Sequence, residues 1–265
     1  MSDCFGICTP LDPNVILTKS MGASSDGEKE QMKKIPYLAS VGSLMYASMA
    51  TRPDITFSTN KLSQFNSNPG LPHWTALQRI LQYLKRTRNF ALTLGSMSCP
   101  TLVGCTDSDY ARCTDTWRST SGYMFTLGLG AISWSSKRQA IVTTSSCEAK
   151  YVASYHAMKE AMWLHSLLQT LGHSQHTTTI HSDNMGSIAL TKDPGFHARS
   201  KHIDVQFHYT RECVDTKDIL FKYIPTADMP ADILMKALPR PKHEKFTALL
   251  GLGTLIHCDN SQLSQ

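Results

Sequence analysis

The sequence predicts an α/β fold: a mixed sheet with three antiparallel strands first, flanking helices, and a small helical module in front. Three observations predict it. Residues 36–95 carry apolar side chains at helical spacing. Near residue 100 that spacing gives way to apolar alternation in three short runs separated by turn residues. Helices and strands then alternate, giving the order βββ-α-β-α-α-β-α. Three hairpinned strands followed by strands reached through helices imply a mixed sheet with helices on its faces. At 265 residues the chain can bury one core, or one core plus a smaller module.

Taken in order, residues 1–35 read as irregular, with Pro10 and Pro13 early and a charged Gly/Ser run at Ala23–Lys34. A chain that opens in a loop, with no strand before it, reads as truncated. Helical spacing begins with Leu38, Val41, Leu44, Met45 and Met49. Thr51-Arg52-Pro53-Asp54 breaks and restarts it, Pro53 being suited to a first helical turn. A second helix is expected from Asp54 to about Asn66, and a third from His73 to about Thr87 with Trp74, Leu77, Ile80, Leu81 and Leu84 on one face. Arg79, Lys85, Arg86 and Arg88 make the other face and end basic. Those cations either face phosphates or complement the helix C-terminus. A plausible linker falls near Gly95–Pro100.

The three strand-like runs are Leu102–Thr106, Gly122–Leu127 and Ala131–Trp134, and Gln139–Thr144 is compatible with an extension of the third. A helix from Ser145 to about Leu171 follows, with Ser145 and Glu148 spaced as a capping box and Gly172 at its end. Thr177–His181 is β-like and Asn184–Leu190 a short helix. Pro194–His202 is a polar, basic loop, about Ile203–Val214 a helix and Ile219–Ile224 a strand. Helix returns over about Asp228–Leu238 and Pro241–Leu250. The domains expected are therefore an irregular segment at 1–35, a helical module at 36–95, an α/β domain at 100–250 and a flexible tail at 251–265.

Composition sets limits. A net charge of +5 permits contact with nucleic acid without demanding it. The eight cysteines are scattered, with no C-x-x-C and no zinc spacing, which reads as thiols in a reducing compartment. Residues 1–20 lack the apolar core of a signal peptide. No apolar run approaches the roughly 20 residues of a membrane span. The expectation is an intracellular protein of cytoplasm or nucleus, not secreted and not in a membrane.

Chemistry points to acids. Asp107 follows the first strand, Asp183 the fourth strand-like run, and Asp232 sits on a late helix behind a strand. Carboxylates at strand ends of an α/β sheet can converge where ligands bind. Hard divalent cations want oxygen ligands, and two of them clamp a phosphodiester during transfer. Singly, each aspartate has a plainer reading: Asp183 or Asp228 as a helix cap, Asp109 as a solvated turn residue. Three at the right elements in the right order carry more weight.

Several stretches resemble the C-terminal part of copia-type retrotransposon Pol polyproteins, over about residues 36–250. Val41-Gly42-Ser43-Leu44-Met45-Tyr46, Thr51-Arg52-Pro53-Asp54-Ile55 and Tyr83-Leu84-Lys85-Arg86-Thr87 look like the end of a reverse transcriptase. Asp107-Ser108-Asp109-Tyr110, Arg118-Ser119-Thr120-Ser121-Gly122-Tyr123, Ile132-Ser133-Trp134-Ser135-Ser136-Lys137, Ser182-Asp183-Asn184, Lys201-His202-Ile203-Asp204 and Ala231-Asp232-Ile233-Leu234-Met235-Lys236-Ala237-Leu238 look like its ribonuclease H domain. The resemblance implies a ribonuclease H-like mixed five-stranded sheet that cuts the RNA strand of an RNA–DNA hybrid, with two Mg²⁺ ions held by four carboxylates. Asp107, Asp183 and Asp232 match three of the four.

The fourth does not match. The family writes Ser-Ser-x-Glu-Ala-Glu-Tyr where this chain has Ser145-Ser146-Cys147-Glu148-Ala149-Lys150-Tyr151. Reading the family's ligand three residues before a small helix residue, Ala153, puts it at position 150, which is lysine. Glu148 is the fallback ligand, but two residues along a helix is a turn of about 200°. Lysine removes a ligand and adds a cation, a change of two charge units against metal binding. Ala111-Arg112-Cys113 and Trp117 also depart from the family pattern.

No Tyr-x-Asp-Asp occurs, so polymerase activity is not expected, and 36–95 resembles only a thumb or connection remnant. The nucleic-acid contacts implied are Arg79, Lys85, Arg86, Arg88, Lys201 and His202. The partners implied are an RNA–DNA hybrid or other nucleic acid, and reverse-transcriptase or integrase parts of a parent polyprotein. Three readings stay open: an active Mg²⁺-dependent ribonuclease H fragment, an inactive remnant that binds nucleic acid, and a decayed element without a selected role.

Overall fold

A computed structural model describes residues 4–95, 101–191 and 204–254. Within 1–35, expected to be irregular, a helix forms: α1 (Asp26–Lys33). Its cause is a complete capping box, Ser25 Oγ accepting from Glu28 N at 3.2 Å while the Glu28 carboxylate accepts from Ser25 N at 3.2 Å. The helix is so polar that apolar spacing could not reveal it. Next come α2 (Tyr37–Ala50), a 3-10 turn at Pro53–Ile55, α3 (Thr56–Ser63) and α4 (Leu71–Arg86). Val41, Leu44, Ile55, Leu62, Leu77 and Ile80 close the core of this module.

A buried polar knot pins the restart at Pro53. Arg52 donates to both carboxylate oxygens of Asp54 at 3.0 and 2.7 Å and to the Thr87 hydroxyl at 2.6 Å, and Tyr83 OH donates to Asp54 at 2.6 Å. The knot ties the turn before α3 to the end of α4.

The second half contains β2 (Leu102–Ser108), β3 (Thr120–Leu127), β4 (Gly130–Arg138), α5 (Ser146–Thr170), β5 (Thr178–Ser182), α6 (Met185–Leu190), α7 (Asp204–Asp215) and β6 (Ile219–Tyr223). These follow β1 (Phe90–Leu92), a short strand beyond the last helix expected in the 36–95 module. The sheet has five strands in the order β4-β3-β2-β5-β6, antiparallel from β4 to β2 and parallel from β2 to β6. Gly128, at φ 76°, turns the β3–β4 hairpin. Instead of the long helix expected over about 228–238 there are two 3-10 turns, Thr226–Asp228 and Pro230–Leu234. Pro230 and Pro239 bracket the segment, and residues before proline avoid the helical region. The chain ends with α8 (Arg240–Leu249) and β7 (Leu252–Thr254).

Helix α5 covers one face of the sheet, where Ala157, Ala161 and Leu164 meet Leu102, Phe125 and Ile180. The Pro230–Leu234 turn and α8 cover the other, where Ile233, Leu234 and Phe246 meet Cys105 and Met124. A side chain at Gly122 would put its Cβ 2.8 Å from Leu234 Cβ, so glycine there lets the turn lie close on β3.

The edge strand β4 is covered by the helical module. Trp134 Nε1 donates to the Ser48 carbonyl at 2.8 Å and Asn60 Nδ2 to the Ser136 carbonyl at 2.6 Å. An uncovered edge would template unwanted strand pairing. The tail expected to be flexible at 251–265 is tied down at its start, because β7 pairs antiparallel with β1, Leu92 opposite Leu252. Residues 255–265 lie outside the described residues. Among the described residues no helix is long and apolar enough to cross a membrane.

Candidate active site

Two parallel neighbours carry the first two acids. Strands β2 and β5 run in register with Cys105 opposite His181. Two residues further on each, Asp107 and Asp183 reach the same level at the strand ends, the usual ligand edge of such a sheet. Asp183 is free to face that edge because its neighbour Asn184 caps α6, accepting from Ser187 N at 2.7 Å.

Helix α5 brings the third group. Ser145 caps it, accepting from Glu148 N at 3.1 Å. The Glu148 carboxylate is turned to Thr144, accepting from its backbone N at 2.7 Å and its hydroxyl at 2.9 Å. Lys150 takes the other side of the turn. Its ammonium donates to Asp107 Oδ1 at 2.5 Å and also to Asp183 Oδ1. The side chains are 17% (Lys150), 1% (Asp107) and 3% (Asp183) exposed, so water screens the triad little.

Electrostatics follow from that burial. Burial pushes Asp107 up to about 7, the Lys150 charge opposing and the Asp183 charge adding. Burial also works against an ionised Asp183, but hydrogen bonds from Lys150 and from the Thr226 hydroxyl, at 2.7 Å, outweigh it and leave the carboxyl below its ordinary value. Burial disfavours the Lys150 charge, yet the two aspartates hold it above the usual ammonium range.

Asp232, expected beside them, is held by different partners. It is fully buried on the Pro230–Leu234 turn, with Lys236 Nζ 2.7 Å from Oδ1 and Lys242 Nζ 2.5 Å from Oδ2. A thin chain connects the two clusters: Lys242 also donates to the Thr226 carbonyl at 3.4 Å, and the Thr226 hydroxyl serves Asp183. The structure thus joins Asp107 and Asp183 through a lysine and pairs Asp232 with two more. Among the described residues no group of three His, Cys, Asp or Glu side chains gathers to hold a metal ion.

Sequence reading missed Thr226, Lys236 and Lys242. The i,i+4 spacing of Asp232 and Lys236 was a usable signal; Lys242 had none, because α8 folds back to deliver it. Asp109, read as a solvated turn residue, is half-buried. Its Oδ1 accepts from Thr120 N at 2.7 Å, and burial pushes it up to about 6. Asp228, read as a cap, pairs with Lys245 at 2.6 Å.

The basic row on α4 is split. Arg79 donates to Thr9 Oγ1 at 3.0 Å and lies 3.8 Å from Asp12, and Lys85 donates to the Cys4 carbonyl at 2.8 Å. These two hold the N-terminal segment, while Arg86 and Arg88 are exposed. Lys201 and His202 lie outside the described residues.

Sheet order, crossing helix and strand-end acids together define a ribonuclease H-like α/β domain, carried here with a helical module docked on its edge. No family model matches the chain. It is 42% identical over 252 residues to the retrovirus-related Pol polyprotein from transposon TNT 1-94 of Nicotiana tabacum, a match covering 95% of this chain and 19% of that polyprotein. It is 45% identical over 133 residues to secreted RxLR effector protein 161 of Plasmopara viticola, covering 50% of this chain and 94% of that protein. A crystal structure of LC11-RNase H1 in complex with RNA/DNA hybrid matches with a TM-score of 0.39 at 15% identity, over 51% of this chain and 94% of that one. The chain belongs to the copia-type retrotransposon Pol family. It spans about a fifth of the TNT 1-94 polyprotein, 19% by length.

Proposed function

We propose that this is a ribonuclease H-like domain of the RNA–DNA hybrid-cleaving class in which an internal cation stands where the family's Mg²⁺ would bind, so that hydrolysis is suppressed. One observation carries the reading: the Lys150 ammonium bridges Asp107 and Asp183. The residues present do not fit a divalent cation. Two carboxylates already partly neutralised by one shared ammonium offer less attraction to a dication, and the ammonium occupies the space between their oxygens. Glu148 does not rescue the donor set, because its carboxylate completes the helix cap. Asp232 is likewise neutralised, by Lys236 and Lys242.

Nucleic acid remains the expected partner. Exposed Arg86 and Arg88 suit a phosphate backbone, and a hybrid would be held by shape and phosphates rather than by base readout. Other parts of a parent polyprotein are the expected protein partners, and an intracellular setting fits the thiols at Cys8, Cys105, Cys113, Cys147 and Cys213.

The test is an end-labelled RNA–DNA hybrid incubated with purified protein and Mg²⁺ or Mn²⁺. Wild type is expected to leave the RNA strand intact, and Lys150→Glu to cleave it. Cleavage by wild type at the variant's rate would overturn the proposal.

A further inference from the structure

A second cleft, of about 460 Å³, lies between the sheet and α5, lined by the ends of β3 and β4 and by the middle of the helix. On its helical side it runs away from the lysine-bridged acids, while on its β3 side Ser121 lies opposite Ser108, the neighbour of Asp107. Its helical residues are 6 to 13 positions beyond Lys150, or about 9–20 Å along the axis at 1.5 Å per residue. Helical spacing explains its wall: His156, Lys159, Glu160 and Trp163 recur every three or four residues and share one face of α5. Lys137 and Arg138, at the end of β4, form the opposite rim.

Two properties stand out. The cleft has a surplus of cations: Lys137, Arg138 and Lys159 face a single carboxylate, Glu160, which is already engaged by Ser133 Oγ at 2.6 Å and Tyr123 OH at 3.3 Å. Neither Lys137 nor Lys159 forms an ion pair among the described residues. The cations also feel one another: burial and the charges of Lys137 and Lys159 hold His156 below its ordinary pKa. An anion placed there would relieve that repulsion. The second property is an aromatic platform. Trp163, 57% exposed, stands on the same wall as an apolar surface that the fold leaves open.

We propose that this cleft binds an unpaired nucleic-acid strand, with a base stacked on Trp163 and adjoining phosphates held by Lys137 and Lys159. Base stacking on an aromatic ring beside a positively charged groove is the general chemistry of single-strand binding. The cleft does not depend on the fate of the metal site, since no residue is shared with it.

Fluorescence anisotropy with a labelled oligo(dT) 15-mer and the full chain tests this. Wild type is expected to bind, and Trp163→Ala to weaken binding by roughly tenfold or more, the loss of one stacked base. Trp163→Phe retains a ring and is expected to retain most of the affinity. Lys137→Ala and Lys159→Ala should each reduce the slope of log affinity against log salt by about 0.7. Lys29→Ala, on the exposed surface of α1, should change neither. Far-UV circular dichroism confirms folding of each variant. Oligo(dT) binding that is undetectable, that is unaffected by Trp163→Ala, or that a blunt duplex displaces as well as a single strand does would overturn the site. None of those results bears on hybrid cleavage by Lys150→Glu, so the two proposals fail separately.

Discussion

Lys150 and Asp107 form a buried ion pair, Nζ to Oδ1 at 2.5 Å, in which the carboxylate side chain is 1% exposed. Asp183 completes the arrangement from the neighbouring strand. Three charged groups in little water are stable only as a set, and removing the central cation leaves two acids facing each other. Breaking a buried pair by removing one partner costs about 3–5 kcal/mol.

Lys150→Glu therefore makes stability depend on metal. In EDTA the variant should be less stable than wild type by several kcal/mol on that scale. Millimolar Mg²⁺ should raise its melting temperature, because a ligand that binds only the folded state stabilises it. Wild type should melt at the same temperature with and without Mg²⁺. A wild-type melting temperature that climbs with Mg²⁺ would show that a cation enters past Lys150.

The Arg52–Asp54–Tyr83 knot sets the stability of the helical module. Tyr83→Phe removes one hydrogen bond to a buried carboxylate and should cost about 1.5–3 kcal/mol. Asp54→Ala strands the Arg52 guanidinium, whose side chain is only 10% exposed, and should cost about 3–5 kcal/mol. Urea denaturation of both variants checks the order; equal, sub-kcal losses would contradict it.

Docking of the module on β4 is carried in part by Trp134 and Asn60. Asn60→Ala and Trp134→Phe should each cost about 0.5–1.5 kcal/mol, since each removes one hydrogen bond between β4 and the helical module, the Ser48 carbonyl keeping the Thr56 hydroxyl as a donor at 3.2 Å. Native-state hydrogen exchange should show faster opening of β4, while β5 and β6 stay protected. Unchanged β4 exchange in both variants would mean that the contacts are superficial.

His243 gives the fold an acid sensitivity. Its ring meets Tyr83 edge-on at 5.3 Å, and burial holds its pKa below the ordinary value, with Asp54 opposing. In the unfolded chain the ring takes up a proton as pH falls through about 6.5, while the folded chain resists until lower pH. Stability is therefore whole above about pH 6.5 and is lost as pH falls from there towards the folded-state pKa. His243→Phe keeps the edge contact and removes the titration. Between pH 6.5 and 5 its stability curve should be shallower than that of wild type by up to about 1.4 kcal/mol per pH unit. Parallel curves would assign the acid sensitivity to other groups.

Much of this architecture was legible because it is written locally. The Ser145 cap, the 3.6-residue spacing of Ala149, Val152, Ala153 and Ala157, and the alternation in β2 and β3 each report burial on one face. Position 150 stood out for the same reason: helix geometry fixes which way it and Glu148 must point. Segments whose structure depends on polar bonds were not legible. Helix α1 rests on a capping box with almost no apolar face, and β1 and β7 are three-residue strands recognisable only as a pair.

Periodicity and motif alone were enough to read the class of sheet, the family, and the presence of three motif aspartates with a lysine among them, because both are local properties of the chain. Only the tertiary structure decided how those charges pair. The parallel register of β2 and β5 sets Asp107 and Asp183 level, so one ammonium reaches both. The return of α8 brings Lys242 to Asp232 from ten residues away. Coulomb energy depends on separation and burial, and neither can be read along a chain whose partners meet only after it has folded.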